Sequence, residues 1–230
     1  MSFLSFLALG FALGMRHATD SDHVIAVTAI VSRERTLRAA AVIGALWGLG
    51  HSLTVALAGG AILAFRWVVP PRVGLSLELC VAAMLVGLGV YNLARGAPES
   101  GGEAPSRADH REGRMAWGRL TRALRPVAVG VVHGLAGSAA IALLVLTAVR
   151  DTSWAALYLA VFGAGTIAGM VLLTLVIAAP ALIAARWMSR ARSTLVRGTG
   201  LASVALGLFL AYRIGVVDGL FSAAPTWAPG

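Results

Sequence analysis

The stretch Arg16-His17-Ala18-Thr19-Asp20-Ser21-Asp22-His23 packs five ionisable side chains into eight residues, in the middle of a long apolar run. Near the centre of a bilayer each charged group costs about 2.5–3.5 kcal/mol on insertion scales. A chain tolerates several there only when they neutralise one another, meet water, or bind something. Imidazoles mixed with carboxylates are the donors of divalent transition metals, whereas calcium and magnesium prefer all-oxygen shells. The run therefore suits nickel, cobalt or zinc, and ligand type alone does not separate them. Setting Arg16 against Asp20 and Asp22 leaves about one net negative charge, which favours a cation.

Helical geometry limits what this run can do as one piece. At about 100° per residue, His17, Asp20 and Ser21 share a face while Asp22 and His23 point well away. A single regular helix cannot aim all of them at one ion, so either the backbone breaks or only a subset are ligands; a break between Gly14 and Asp22 is the favoured expectation. A second run supplies His51, within Gly48-Leu49-Gly50-His51-Ser52. Standing alone, such a histidine reads as a satisfied structural group; beside His17, Asp22 and His23 it reads as a further ligand. His133 lies in His133-Gly134-Leu135-Ala136-Gly137-Ser138, without carboxylates. It fits a ligand, a partner behind a ligand, or a packing residue. His110 sits in a polar loop and reads as solvated. Asn92 and Glu78 lie near the ends of apolar runs, where interface anchoring explains them. The candidate metal residues are thus His17, Asp20, Asp22, His23, His51 and His133.

The elements that must position them are membrane helices. Hydrophobic residues form 58% of the chain and charged ones 13%, about half the charged share of a soluble domain. Apolar runs cover 2–32, 37–69, 73–95, 126–149, 153–185 and 194–216. A span needs about 20 residues, so the expected fold is an all-α membrane protein of six transmembrane helices. The first, second and fifth runs are too long for an untilted span. Cys80 is the single cysteine, which excludes an intrachain disulfide or a thiolate cage. The N-terminal run lacks the basic flank and cleavage site of a signal peptide and is expected to be kept.

All 19 basic residues are arginine, and the net charge is +9. Most gather between apolar runs, and no basic face with aromatic residues interleaved for base stacking is visible, so they set topology and imply no nucleic-acid partner. Alternate links hold fourteen arginines against four on the other side. With the rich side in the cytoplasm, both termini lie outside the bacterial inner membrane. Three segments follow: 1–96 as a first three-helix unit, 97–125 as a cytoplasmic arginine-rich loop with an interfacial helix, and 126–230 as a second three-helix unit. A weak repeat at an offset of about 116 residues relates the units. His17 corresponds to His133, Gly48-Leu49-Gly50-His51 to Gly163-Ala164-Gly165-Thr166, and Gly89, Tyr91 and Arg95 to Gly207, Phe209 and Arg213. Three spans per unit is an odd number, so the units must be inverted, with the site expected at their interface near the midplane.

Arg16-His17, with Asp22-His23 after it, resembles the signature of the nickel/cobalt transporter family, and Gly50-His51-Ser52 resembles its second histidine motif. The resemblance covers most of the first half. It implies a metal-handling role for His17, Asp22, His23 and His51, with Asp20 beside them, and Ni²⁺ or Co²⁺ as a transported substrate with no cofactor. The family's longer importers have eight spans and acidic motifs downstream. This chain has six and the His133 motif, closer to the short branch of urease-accessory or nickel-export-like members, so direction is open.

The expected function is a secondary transporter. No Gly-x4-Gly-Lys-Ser/Thr loop occurs, and the chain has no lysine. Two alternatives stand beside it. One is a non-transporting membrane accessory or scaffold protein for metalloenzyme maturation, its polar groups forming a structural network. The other is an intramembrane metal-dependent hydrolase, disfavoured because His-Glu-x-x-His is missing. The reading is therefore of a non-enzyme whose partners are the metal ion and the bilayer, with a homo-oligomer left open.

Overall fold

The computed structural model describes residues 3–65, 69–96, 111–136, 152–187 and 189–227, and every regular element among them is helical. Helix α1 spans Phe3–His17, α2 Ser21–Val31, α3 Leu37–Phe65, α4 Pro71–Arg95, α5 Arg111–Gly134, α6 Thr152–Trp187 and α7 Ser189–Tyr212, which runs into a π-helical turn at Arg213–Val217. Four of these are long and apolar enough to cross a bilayer, over Leu37–Ala61, Pro71–Arg95, Ser153–Ile183 and Ser193–Val217. The first apolar run divides into α1 and α2, of 15 and 11 residues. Neither covers the roughly 30 Å hydrocarbon core alone, but in tandem their length suffices.

The bundle is apolar outside and polar at selected points within. Leu49, Leu53 and Leu57 recur every four residues on the outer face of α3, and Leu172 and Val176 do so on α6. Buried inside are His17, His23, His51, Thr54, Asn92, His133, Thr166, Thr174 and Ser203. The buried hydroxyls and Asn92 bond to carbonyls, several across helices: Ser52 Oγ donates to Gly163 O at 3.1 Å, Ser203 Oγ to Leu85 O at 2.7 Å, and Asn92 Nδ2 to Ala29 O at 2.6 Å. Asn92 is thus a buried cross-link between α4 and α2, not an interface anchor.

Two groups of helices emerge. α1, α3, α5 and α6 pack on one another, α4 packs mainly on α7, and the short α2 lies between the groups. Glycines set the closest approaches, where backbone rests on backbone. A β-carbon on Gly14 would overlap the Phe162 carbonyl and the Thr166 amide, and one on Gly130 would overlap the Trp47 carbonyl and the His51 amide. Gly165 meets the Phe11 carbonyl, and Gly50 meets the Val127 carbonyl. Gly89 meets the Gly200 carbonyl and Val204, and Gly207 meets the Ala82 carbonyl and Val86. In each pair, both partners are exchanged for their counterparts at the repeat offset of about 116 residues.

The chain departs from expectation around Pro126. A boundary between an interfacial helix and a span was expected after residue 125, but α5 runs unbroken through Pro126. The proline removes one backbone donor. Val127, Gly130 and Gly134 pack against α3 just beyond it, and the helix continues to Gly134. Residues 97–110 with His110, Trp67, and the 137–149 part of the fourth run lie outside the described residues. At the arginine-rich end, the guanidinium groups of Arg33, Arg95 and Arg125 lie 5.0, 5.2 and 5.7 Å from the centre of the Tyr91 ring. Arg33 also donates to Gly96 O at 2.8 Å, tying the end of α2 to the end of α4. At the far end the chain after Val217 turns back over the start of α4. There Trp227 covers Gly74 and its Nε1 donates to Glu78 Oε1 at 2.8 Å, so Glu78 is held by the chain itself.

Candidate metal centre

The break between α1 and α2 falls at Ala18–Asp20, inside the interval that helical geometry favoured. It leaves His17 as the last residue of α1 and His23 in the first turn of α2, and it turns His23 onto the side that His17 faces. Thr19 closes the end of α1 twice on one carbonyl: its backbone N–H donates to Arg16 O at 2.9 Å and its Oγ1 at 2.6 Å. Asp20 sits at the N-cap of α2 with extended backbone, yet its side chain makes no cap bond. Its Oδ2 lies 3.0 Å from His17 Nδ1 instead. Asp22, in the first turn of α2, is placed where the helix dipole favours an anion.

Four histidines meet here. His17, His23, His51 and His133 are 7%, 0%, 1% and 0% exposed. The ring centres are 4.9 Å apart for His17 and His23, 4.9 Å for His17 and His51, 5.3 Å for His23 and His51, and 4.6 Å for His23 and His133. His17 Nε2 and His51 Nε2 approach to 3.0 Å, near the separation of about 3.3 Å between two ligands of one tetrahedral ion. Asp22 Oδ1 accepts from the His23 backbone N–H at 2.9 Å and lies 3.2 Å from His23 Nδ1. Its Oδ2 is 3.4 Å from His133 Nε2, inside ion-pair reach but outside hydrogen-bond geometry.

A carboxylate behind an imidazole fixes the ring and leaves the other nitrogen's lone pair free for a metal. Asp20 stands so behind His17, and Asp22 behind His23. Among the described residues, His23 Nε2, His51 Nδ1 and both ring nitrogens of His133 have no hydrogen-bond partner. Buried polar groups are normally satisfied, and so many orphaned imidazole nitrogens in one place are a donor set awaiting an acceptor. Two groups of three come within 4.8 Å of mutual ligand-atom distance: His17, His23 and His51, and Asp22, His23 and His133.

All six candidate residues therefore come together, though unequally. Asp20 is 46% exposed and its carboxylate pairs, among the described residues, with His17, and Asp22 is 20% exposed. Arg16 offsets Asp20 and Asp22 in net charge without an ion pair to either among the described residues. Among the described residues both carboxylates pair with histidines, and Arg16 is exposed. Sequence reasoning missed the aromatic wall. Trp47 is fully buried, with its ring 5.3 Å from that of His133 and 6.2 Å from that of His23, and Phe162 lies 5.7 Å from His17. One signal was available: Trp47 precedes His51 by one helical turn and so shares its face.

No family model matches the chain, and no solved structure matches it. A curated relative, the urease accessory protein UreH of Bacillus sp. (strain TB-90), is 34% identical over 221 residues, covering 95% of this chain and 95% of its own.

Proposed function

The chain belongs to the nickel/cobalt transporter family, in the branch that includes the urease accessory protein UreH, and from that premise we propose that it is a secondary transporter carrying Ni²⁺ or Co²⁺ across the bacterial cytoplasmic membrane. The observation that carries this reading is the convergence of four buried histidines from α1, α2, α3 and α5, with Asp22 among them, inside an apolar bundle. A bare divalent ion in hydrocarbon is prohibitively costly. Imidazole nitrogens can replace the water it sheds, and Asp20 and Asp22 offset its charge. The soft-to-borderline nitrogen donors favour nickel or cobalt over calcium and magnesium.

The architecture proposed is two inverted three-helix units, residues 1–96 and 126–230, joined by the arginine-rich 97–125. The exchanged glycine contacts support it, because the contacts of Gly14, Gly50 and Gly89 recur with roles reversed at Gly130, Gly165 and Gly207. So does the pairing of ends: α1 stops at His17 with Asp20 N donating to His17 O at 3.2 Å, and α5 stops after His133 with Ala136 N donating to His133 O at 3.0 Å. Helix ends that meet inside the bundle are a recurring way to build a transport site. The gathering of Arg33, Arg95 and Arg125 at one end supports a cytoplasmic placement of that end, with both termini outside.

The name of the relative favours a second reading, in which the chain serves metalloenzyme assembly without moving ions itself. Flux separates the two. In proteoliposomes, Ni²⁺ or Co²⁺ should cross faster than Zn²⁺ with the wild type and stay at the leak rate with His51→Ala. Metal binding without any flux in either direction would leave the accessory reading standing and remove this one.

A further inference from the structure

Two ligand sets lie inside the cluster, and they share one member. His17, His23 and His51 form the first, and Asp22, His23 and His133 form the second. His17 and His133 are counterparts across the repeat, and each stands in the last turn of its helix. The first set is braced: carboxylates hold the Nδ1 sides of two of its three imidazoles, at 3.0 Å for His17 and 3.2 Å for His23. The second is not. His133 has no hydrogen-bond partner at either nitrogen, and Asp22 already commits Oδ1 to His23, leaving Oδ2 for an incoming ion.

Bracing decides which set captures. Ligands held in place lose little freedom on binding, so the first set has the higher affinity and the second the faster release. Both sets filled at once would put two dications beside two carboxylates in an apolar enclosure, a charge the site does not balance. Resting on the reading that this cluster carries a transported ion, we propose that one ion occupies the two sets in turn, pivoting on His23. It passes from the histidine in the last turn of α1 to the histidine in the last turn of α5. His51 then serves capture, and His133 serves passage.

The test compares equilibrium Ni²⁺ binding to the purified full chain with Ni²⁺ flux in proteoliposomes, for wild type, His17→Ala, His133→Ala and His133→Asn. Asparagine keeps a polar side chain of similar reach should alanine fail to fold, with size-exclusion profiles checking integrity. The wild type should bind one ion. The His133 variants should lose at least about tenfold more in flux than in affinity, whereas His17→Ala should lose both together. Bound Co²⁺ should keep its visible absorption bands in His133→Asn, because His133 is not among the capturing ligands. Equal losses of affinity and flux at His133, or two ions bound at saturation, would overturn the relay while leaving the transporter reading intact. A wild type that neither binds nor moves Ni²⁺ would sink the reading beneath it as well.

Discussion

Where α1 crosses α6, Gly14 lets the backbone rest on Phe162 and Thr166, and where α5 crosses α3, Gly130 does the same on Trp47 and His51. The two crossings are alike in packing and unlike in chemistry. Thr166 closes its own account locally, its Oγ1 donating to Phe162 O at 3.0 Å. His51, at the corresponding position, keeps a buried Nδ1 with no partner. The glycine-mediated fit therefore does not need metal donors. The chemical difference lies where one of two equivalent positions carries an imidazole in place of a hydroxyl, and where Asp22 and His23 have no like counterparts in Ser138 and Ala139.

That contrast can be broken at several points. His23→Ala should have the largest effect, because His23 belongs to both ligand sets. Ni²⁺ affinity measured by titration calorimetry should fall by more than about a hundredfold, a loss of about 2.7 kcal/mol. Unchanged affinity would mean that the convergence is only packing. Next come Gly14→Val and Gly130→Val, each of which forces a side chain into a backbone contact and should destabilise by about 2–3 kcal/mol. Unfolding midpoints in detergent should shift by similar amounts for the two; a large inequality would end the equivalence of the crossings. The combination His51→Thr with Thr166→His moves the imidazole to the matching position. It should regain about tenfold of the affinity lost in His51→Thr alone, and no recovery would limit the equivalence to backbone. The smallest effect belongs to Asp20→Asn, since that partly exposed carboxylate pairs, among the described residues, with His17. Its affinity loss should be about tenfold at most and smaller than that of Asp22→Asn.

The sequence made much of this readable, because membrane spans and buried charge leave strong marks. The apolar runs located α3, α4, α6 and α7, and the mismatch between helical phase and the positions of His17 and His23 favoured the break found at Ala18–Asp20. The weak repeat pointed to the glycine pairs. What stayed hidden depends on contacts between helices distant in sequence. Nothing in the spacing of Asp22 says that its two oxygens divide between His23 and His133, or that Arg16 turns outward while histidines take the carboxylates. Pro126 is a further case: local propensity argues for an end there, yet the helix continues to Gly134, packed against α3. Trp227 reaches Gly74 and Glu78 across most of the chain, a pairing no local pattern announces.

The turned-back segment has a mechanical corollary. Trp227 clasps one end of the α4–α7 pair, while Asn92 and Arg33 bolt its other end to α2. Held at both ends, the pair acts as a stiff post. Through those bonds the post is fastened to the same short helix whose first turn carries Asp22 and His23.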